Sequence, residues 1–98
     1  MLFALYCRDR TDGLETRLAN RDDHVAWALE SGIIHMAGPL LADDGETMIG
    51  SLLVIEAEDL EAARRFSEAD PYARAGVFER VEIHPFRWLL GGGPGPDA

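Results

Sequence analysis

Residues 60–83 read LEAARRFSEADPYARAGVFERVEI, a helical pattern that stops on an acid and a proline and gives way to a strand. Leu60, Ala63 and Phe66 recur at the spacing of one helical face, while Glu61, Arg64, Arg65 and Glu68 fall on the other. The stretch therefore predicts an amphipathic helix over 60–69, with Asp59 as its N-cap. Proline fixes its own φ, lacks an N–H and pushes the preceding residue out of the α region, so Asp70 must sit in a turn just past the helix end. A loop over 70–76 follows, then a strand over 77–83. HPFRWLL (84–90) continues as an extra terminal strand, which Pro85 places at an edge or bend.

Working outward from that unit, the hydrophobic period changes in an orderly way. Residues 1–7 are apolar on both alternating faces, as in a central strand covered on both sides. A D-G turn signal at Asp12-Gly13 precedes a short helical turn at 14–19 and a main helix over about 22–31. Asp22 and Asp23 suit the first turn of that helix, and Gly32 stands as the residue after it. IIHMAGPLL (33–41) predicts a strand broken at Gly38-Pro39, and ADDGE (42–46) a turn. MIGSLLVIE (48–56) predicts a second strand, pairing with the first as a hairpin. The order β-α-β-β-α-β is the split βαβ, ferredoxin-like α+β pattern, an antiparallel sheet with both helices on one face. Its other face stays apolar enough to require a cover, which predicts a homodimer packed sheet against sheet. Residues 1–90 are expected to form one domain, and the GGGPGPDA tail (91–98) a flexible Gly/Pro segment.

Composition excludes several functions. The 98 residues carry 18 acids against 9 bases, a formal charge of −9, and every base is arginine. Phosphate backbones and anionic membrane surfaces attract clustered bases, so neither nucleic acid nor membrane is an expected partner. The single cysteine, Cys7, excludes an internal disulfide and a Cys-rich zinc site, and the N-terminal run does not read as a secretory signal. A cytoplasmic setting is the expectation. His24, His35 and His84 stand in no HxH or HExxH spacing, and no Gly-rich loop joins a strand to a helix. Neither a metal nor a cofactor is implied.

The residues that carry chemistry are fewer. His24 and Asp70 could form an acid–base pair: imidazole titrates near neutrality, and a carboxylate on one ring nitrogen fixes the tautomer and stabilises the imidazolium. Equally, Asp70 could be a solvated helix stop, and His24 a surface residue among Asp22 and Asp23. Arg21, three residues before His24, could clamp a carboxylate or phenolate through its planar fork. Arg17, four residues before Arg21, is expected to pair with neighbouring acids at the surface. Gly38 and Pro39 could bring backbone close to a ligand or only kink a strand. Ser51 could donate into a pocket or stand as a polar residue on a strand face, and Tyr72 could line the pocket or close the core beneath a loop.

RLANRDDHVAWALESG, then AGPL, then ADPYARAGVFERVEIHPF resembles the YCII-related (YciI-like) family of small dimeric α+β barrel proteins, from Met1 to about Leu89. The specific parts are Arg-x-x-His at Arg21 and His24, and Asp-Pro-Tyr at Asp70 to Tyr72 followed by a strand ending in His-Pro-Phe. The resemblance implies a His–Asp pair in a pocket, here His24 and Asp70. A chlorohydroxyquinone dehydrochlorinase is a characterised enzyme of this type. It further implies either a cofactor-independent, lyase-like acid–base enzyme for a small polar or aromatic substrate, or a non-catalytic ligand-binding homodimer using the same pocket. Arg21, Ser51, Gly38, Pro39 and Tyr72 are then the expected binding residues, and an anionic small molecule the expected ligand.

Overall fold

A computed structural model describes residues 1–92, so most of the expected flexible tail (93–98) lies outside the described residues. The order is β1 (Leu2–Asp9), α1 (Leu14–Ala19), α2 (Arg21–Ser31), β2 (Ile34–Leu41), β3 (Met48–Glu56), α3 (Leu60–Ala69), α4 (Pro71–Arg74) and β4 (Phe78–Phe86). The four strands form one sheet in the order β2-β3-β1-β4, every neighbour antiparallel. This is the ferredoxin-like arrangement, with β1 central as its two-faced apolar pattern predicts.

The strand alternation decides what is buried. Phe3, Leu5 and Cys7 of β1 and Leu53 and Ile55 of β3 point to one face and meet Ala63 of α3 there. Each large side chain removed from water contributes on the order of 1.5–3 kcal/mol. Phe66, Leu60 and Ile83 pack against this centre. Burial, ahead of the nearby Asp70, pushes the Cys7 thiol up to about 12, so almost none is thiolate at neutral pH. Cys7 in the folded protein is accordingly expected to resist iodoacetamide and to react once urea unfolds the chain; mass spectrometry of the two samples checks this.

Asp59 caps α3 by accepting from the Ala62 backbone N–H at 2.8 Å, and Gly32 ends α2 with φ 70°. Gly50 meets a tighter demand. A Cβ there would stand 2.3 Å from the Cys7 carbonyl oxygen, where the β1 and β3 backbones approach. Gly50→Ala should therefore force backbone apart in the sheet centre and cost about 1–3 kcal/mol, read as a lowered urea midpoint.

Three expectations need correction. The strand at 33–41 is not broken at Gly38-Pro39: β2 pairs through both residues, Gly38 opposite Leu52 and Pro39 opposite Ser51. β2 lies at the sheet edge, where a strand can carry a proline on the side that has no neighbour. The same reason removes the extra terminal strand. β4 runs straight through Pro85 to Phe86, and no fifth strand follows among the described residues. Lastly, the loop at 70–76 contains a one-turn helix, α4, with Pro71 at its first position and Asp70 at its N-cap.

Candidate functional site

A cavity of about 300 Å³ opens between the α1–α2 face and the β2–β3 edge of the sheet. Helical spacing brings its residues together: Arg17, Arg21, His24 and Ala28 follow one another by four, three and four, a single stripe along α1 and α2. Val25, Leu29, Pro39, Met48 and Leu53 give it apolar walls, and Arg17, Arg21, His24, Ser51 and Tyr72 its polar groups. Arg21, His24, Gly38, Pro39, Ser51 and Tyr72 all line it, whereas Asp70 lies behind His24.

Asp70 holds this end of the cavity in place through its double position. It ends α3 in extended geometry (φ −58°, ψ 125°), as a residue before proline must, and begins α4. Its Oδ1 accepts the Tyr72 backbone N–H at 2.9 Å and also meets His24 Nδ1 at 2.7 Å. An ionised carboxylate only accepts, so Nδ1–H donates to it, and in the neutral imidazole Nε2 is then the proton-accepting nitrogen. Asp70 is 3 % exposed, and the His24 side chain 13 %. The imidazole is also held by its face: it stacks on the Tyr72 ring at 4.0 Å with 11° between planes, and Trp27 leans on it at 5.7 Å. Carboxylate and aromatic ring together leave the imidazole little freedom to turn.

Arg17 departs from expectation most. It is 2 % exposed, not a surface partner of nearby acids. Its Nε and Nη2 donate to the two oxygens of Asp9 at 2.7 and 2.9 Å, and Nη2 donates again to Ser51 Oγ at 2.7 Å. Asp9 ends β1 and Ser51 stands on neighbouring β3, so the fork ties α1 to two strands. A charge so buried needs an opposite one, and Asp9 supplies it. Burial works against the guanidinium's charge, but the Asp9 carboxylate outweighs it and holds Arg17 above its usual range. The guanidinium carbon also stands 4.5 Å from the Tyr72 ring centre. The sequence signal for this role was the four-residue step from Arg17 to Arg21, which puts both on His24's face. Asp9 left no comparable signal, since its partner is set by strand and helix packing.

The remaining candidates separate cleanly. Gly38 lines the cavity with open space where a Cβ would stand, so no close approach within the protein requires a glycine there. His35 and His84 lie away from the cavity, each 3.5–3.6 Å from a glutamate, Glu56 and Glu82 respectively. Among the described residues no group of three or more His, Cys, Asp or Glu is placed to hold a metal ion. Nor is any helix there long and apolar enough to cross a membrane.

Fold and cavity together define a ferredoxin-like α+β protein with a pocket lined by a histidine and two arginines. The chain belongs to the YCII-related domain family, whose model matches residues 1–87. It is 39% identical over 95 residues to Protein YciI of Escherichia coli O6:H1 and of Shigella flexneri, covering 89% of this chain and 97% of theirs. An uncharacterized protein of Haemophilus influenzae is 33% identical over the same length. Among solved structures, the chain is similar to a 5-chloro-2-hydroxyhydroquinone dehydrochlorinase from Burkholderia phenoliruptrix, solved in complex with 2,5-dihydroxybenzoquinone. The two share 34% identity and a TM-score of 0.79, covering 93% of this chain and 96% of that one.

Proposed function

We propose that the protein is a cofactor-independent acid–base enzyme of the lyase type, acting on a small, anionic, hydroxylated aromatic substrate. His24 serves as the base and Asp70 as its orienting partner. The observation that carries this reading is the 2.7 Å contact between His24 Nδ1 and a buried carboxylate at the wall of a cavity. A pocket that only bound a ligand would have no need of an imidazole fixed in one tautomer, which is why the enzyme reading is preferred to a non-catalytic binding protein. The likeness to a dehydrochlorinase adds the reaction type. Nε2 takes a proton from the substrate, the electron pair moves into the ring system, and the carbon–chlorine bond breaks with its pair leaving as chloride. Atoms and charge balance as loss of HCl.

Arg21 supports the choice of an anion. It makes no ion pair among the described residues and lines the cavity in a chain whose formal charge is −9, and a cation acts more strongly where water is partly excluded. We place a second copy of the chain on the open sheet face. Tyr6, Met36, Phe86 and Leu90 are exposed there, around a groove lined by Leu52, Val54 and Trp88, a large apolar area for a lone subunit. Light scattering should then give twice the 10.8 kDa chain mass, and a monodisperse monomer at micromolar concentration would exclude the pairing. The activity is tested by incubating the protein with 5-chloro-2-hydroxyhydroquinone and measuring chloride. Release by wild type, and its loss in His24→Ala, is the expected result; equal release by both would remove His24 from the chemistry.

A further inference from the structure

The donors at the closed end of the cavity outnumber the acceptors the protein offers them. Arg17 has five N–H groups, and Asp9 and Ser51 engage those on Nε and Nη2. Ser51 Oγ accepts from Arg17, so its own proton remains to be donated, and the Tyr72 hydroxyl, which also pairs with Arg17, likewise keeps its proton to donate. All three residues are nearly sealed from solvent, at 2, 4 and 3 % exposure. Yet no fully enclosed side-chain nitrogen or oxygen among the described residues lacks a partner. Arg17, Ser51 and Tyr72 all line the cavity, so a ligand there can accept the protons that they keep. Asp9 already has each of its oxygens engaged by Arg17.

We propose that the closed end of the cavity is an oxyanion site, in which Arg17, Ser51 and Tyr72 donate to one negatively charged oxygen, a phenolate or carboxylate, of the ligand. Arg21 acts from the mouth as the second cation. The proposal rests on the reading of this cavity as the substrate site, and it adds where the negative charge sits. Burial raises the Tyr72 phenol, ahead of the downward pull of Arg17 and Arg21, and keeps it a proton donor at neutral pH. The site also adjoins the base, since the Tyr72 ring lies 4.0 Å from that of His24. When Nε2 takes a proton from the substrate, the negative charge that passes through the ring system before chloride leaves is shared by an oxygen already facing fixed donors. Donors preset where charge develops cost no reorganisation during the reaction. Arg17 therefore has two roles, as the partner that anchors Asp9 and as a ligand contact.

4-Nitrophenol is a suitable probe, because its phenolate is coloured and its phenol is not. Titrated into the protein near its own pKa, it should bind as the coloured anion. Tyr72→Phe preserves the ring stack and Ser51→Ala fills the same space, so both should fold, as circular dichroism will confirm. Each is expected to weaken phenolate binding roughly tenfold or more, the size of a charge-assisted hydrogen bond. His24→Ala should still bind the probe as the coloured anion while abolishing chloride release, which separates this site from the acid–base pair. Chloride release failing with phenolate binding intact would overturn the enzyme reading and leave the oxyanion site standing. Four results would overturn the oxyanion site itself: no binding by wild type up to millimolar probe, binding as the neutral phenol, wild-type affinity in Tyr72→Phe and Ser51→Ala, or a loss confined to Arg21→Ala.

Discussion

Asp70→Asn is expected to leave the protein folded and to lower chloride release by up to about 10⁴-fold, the scale of the same change in Ser-His-Asp hydrolases. Folding should survive because asparagine is as good an N-cap as aspartate: its side-chain oxygen can still accept the Tyr72 N–H that Asp70 accepts at 2.9 Å. Catalysis should not. If the amide oxygen keeps both bonds, His24 loses the negative charge that stabilises its protonated form. If the amide turns its NH₂ toward Nδ1, that nitrogen must become the acceptor and Nε2 carries the proton, so the base faces the substrate already occupied. Either route leaves substrate binding largely intact, and the loss should therefore fall on kcat rather than KM. An Asp70→Asn protein with wild-type kcat would reduce Asp70 to the cap that its place before Pro71 already explains.

The same residue marks how far the chain could be read in advance. The period of Leu60, Ala63 and Phe66, the Asp59 cap and the Gly32 stop are local, and local chemistry fixed the helices within a residue or so. The apolar pattern on both faces of β1 likewise placed that strand at the sheet centre. Errors arose where tertiary context overrode a local rule. Pro39 looks like a break, but its strand is an edge of the sheet and is not interrupted; Pro85, read at an edge or bend, lies in the other edge strand, which runs through it. Residues 71–74 make too short a helix to show a period, and only the Asp-Pro pair announces it. Arg17 looks like any surface arginine until β1 delivers Asp9 to it across the fold. Of the cavity residues, those near the Arg-x-x-His and Asp-Pro-Tyr stretches were legible, whereas Met48 and Leu53 join them only through strand register.

Arg17 and Asp9 should show the largest stability effect in the protein, and a double variant distinguishes charge from packing. Both side chains are almost wholly buried, 3 and 4 % exposed, and joined by two short hydrogen bonds. Removing one partner strands the other charge in a low-dielectric site, a change that costs about 3–5 kcal/mol. Arg17→Met and Asp9→Leu should each lower the unfolding free energy by that much, read from urea denaturation, against a total of about 5–15 kcal/mol for a typical domain. The double variant Arg17→Met/Asp9→Leu has no stranded charge, and its apolar side chains occupy similar volume. It should recover most of the loss, because a buried ion pair often breaks even against well-packed apolar residues. Losses that simply add would mean that packing, not charge compensation, holds α1 to the sheet. The recovered double variant should nonetheless fail to bind 4-nitrophenolate tightly, since the guanidinium is absent from the cavity. Stability would then return without the function, and the buried pair would be explained by the ligand it serves rather than by the fold it stabilises.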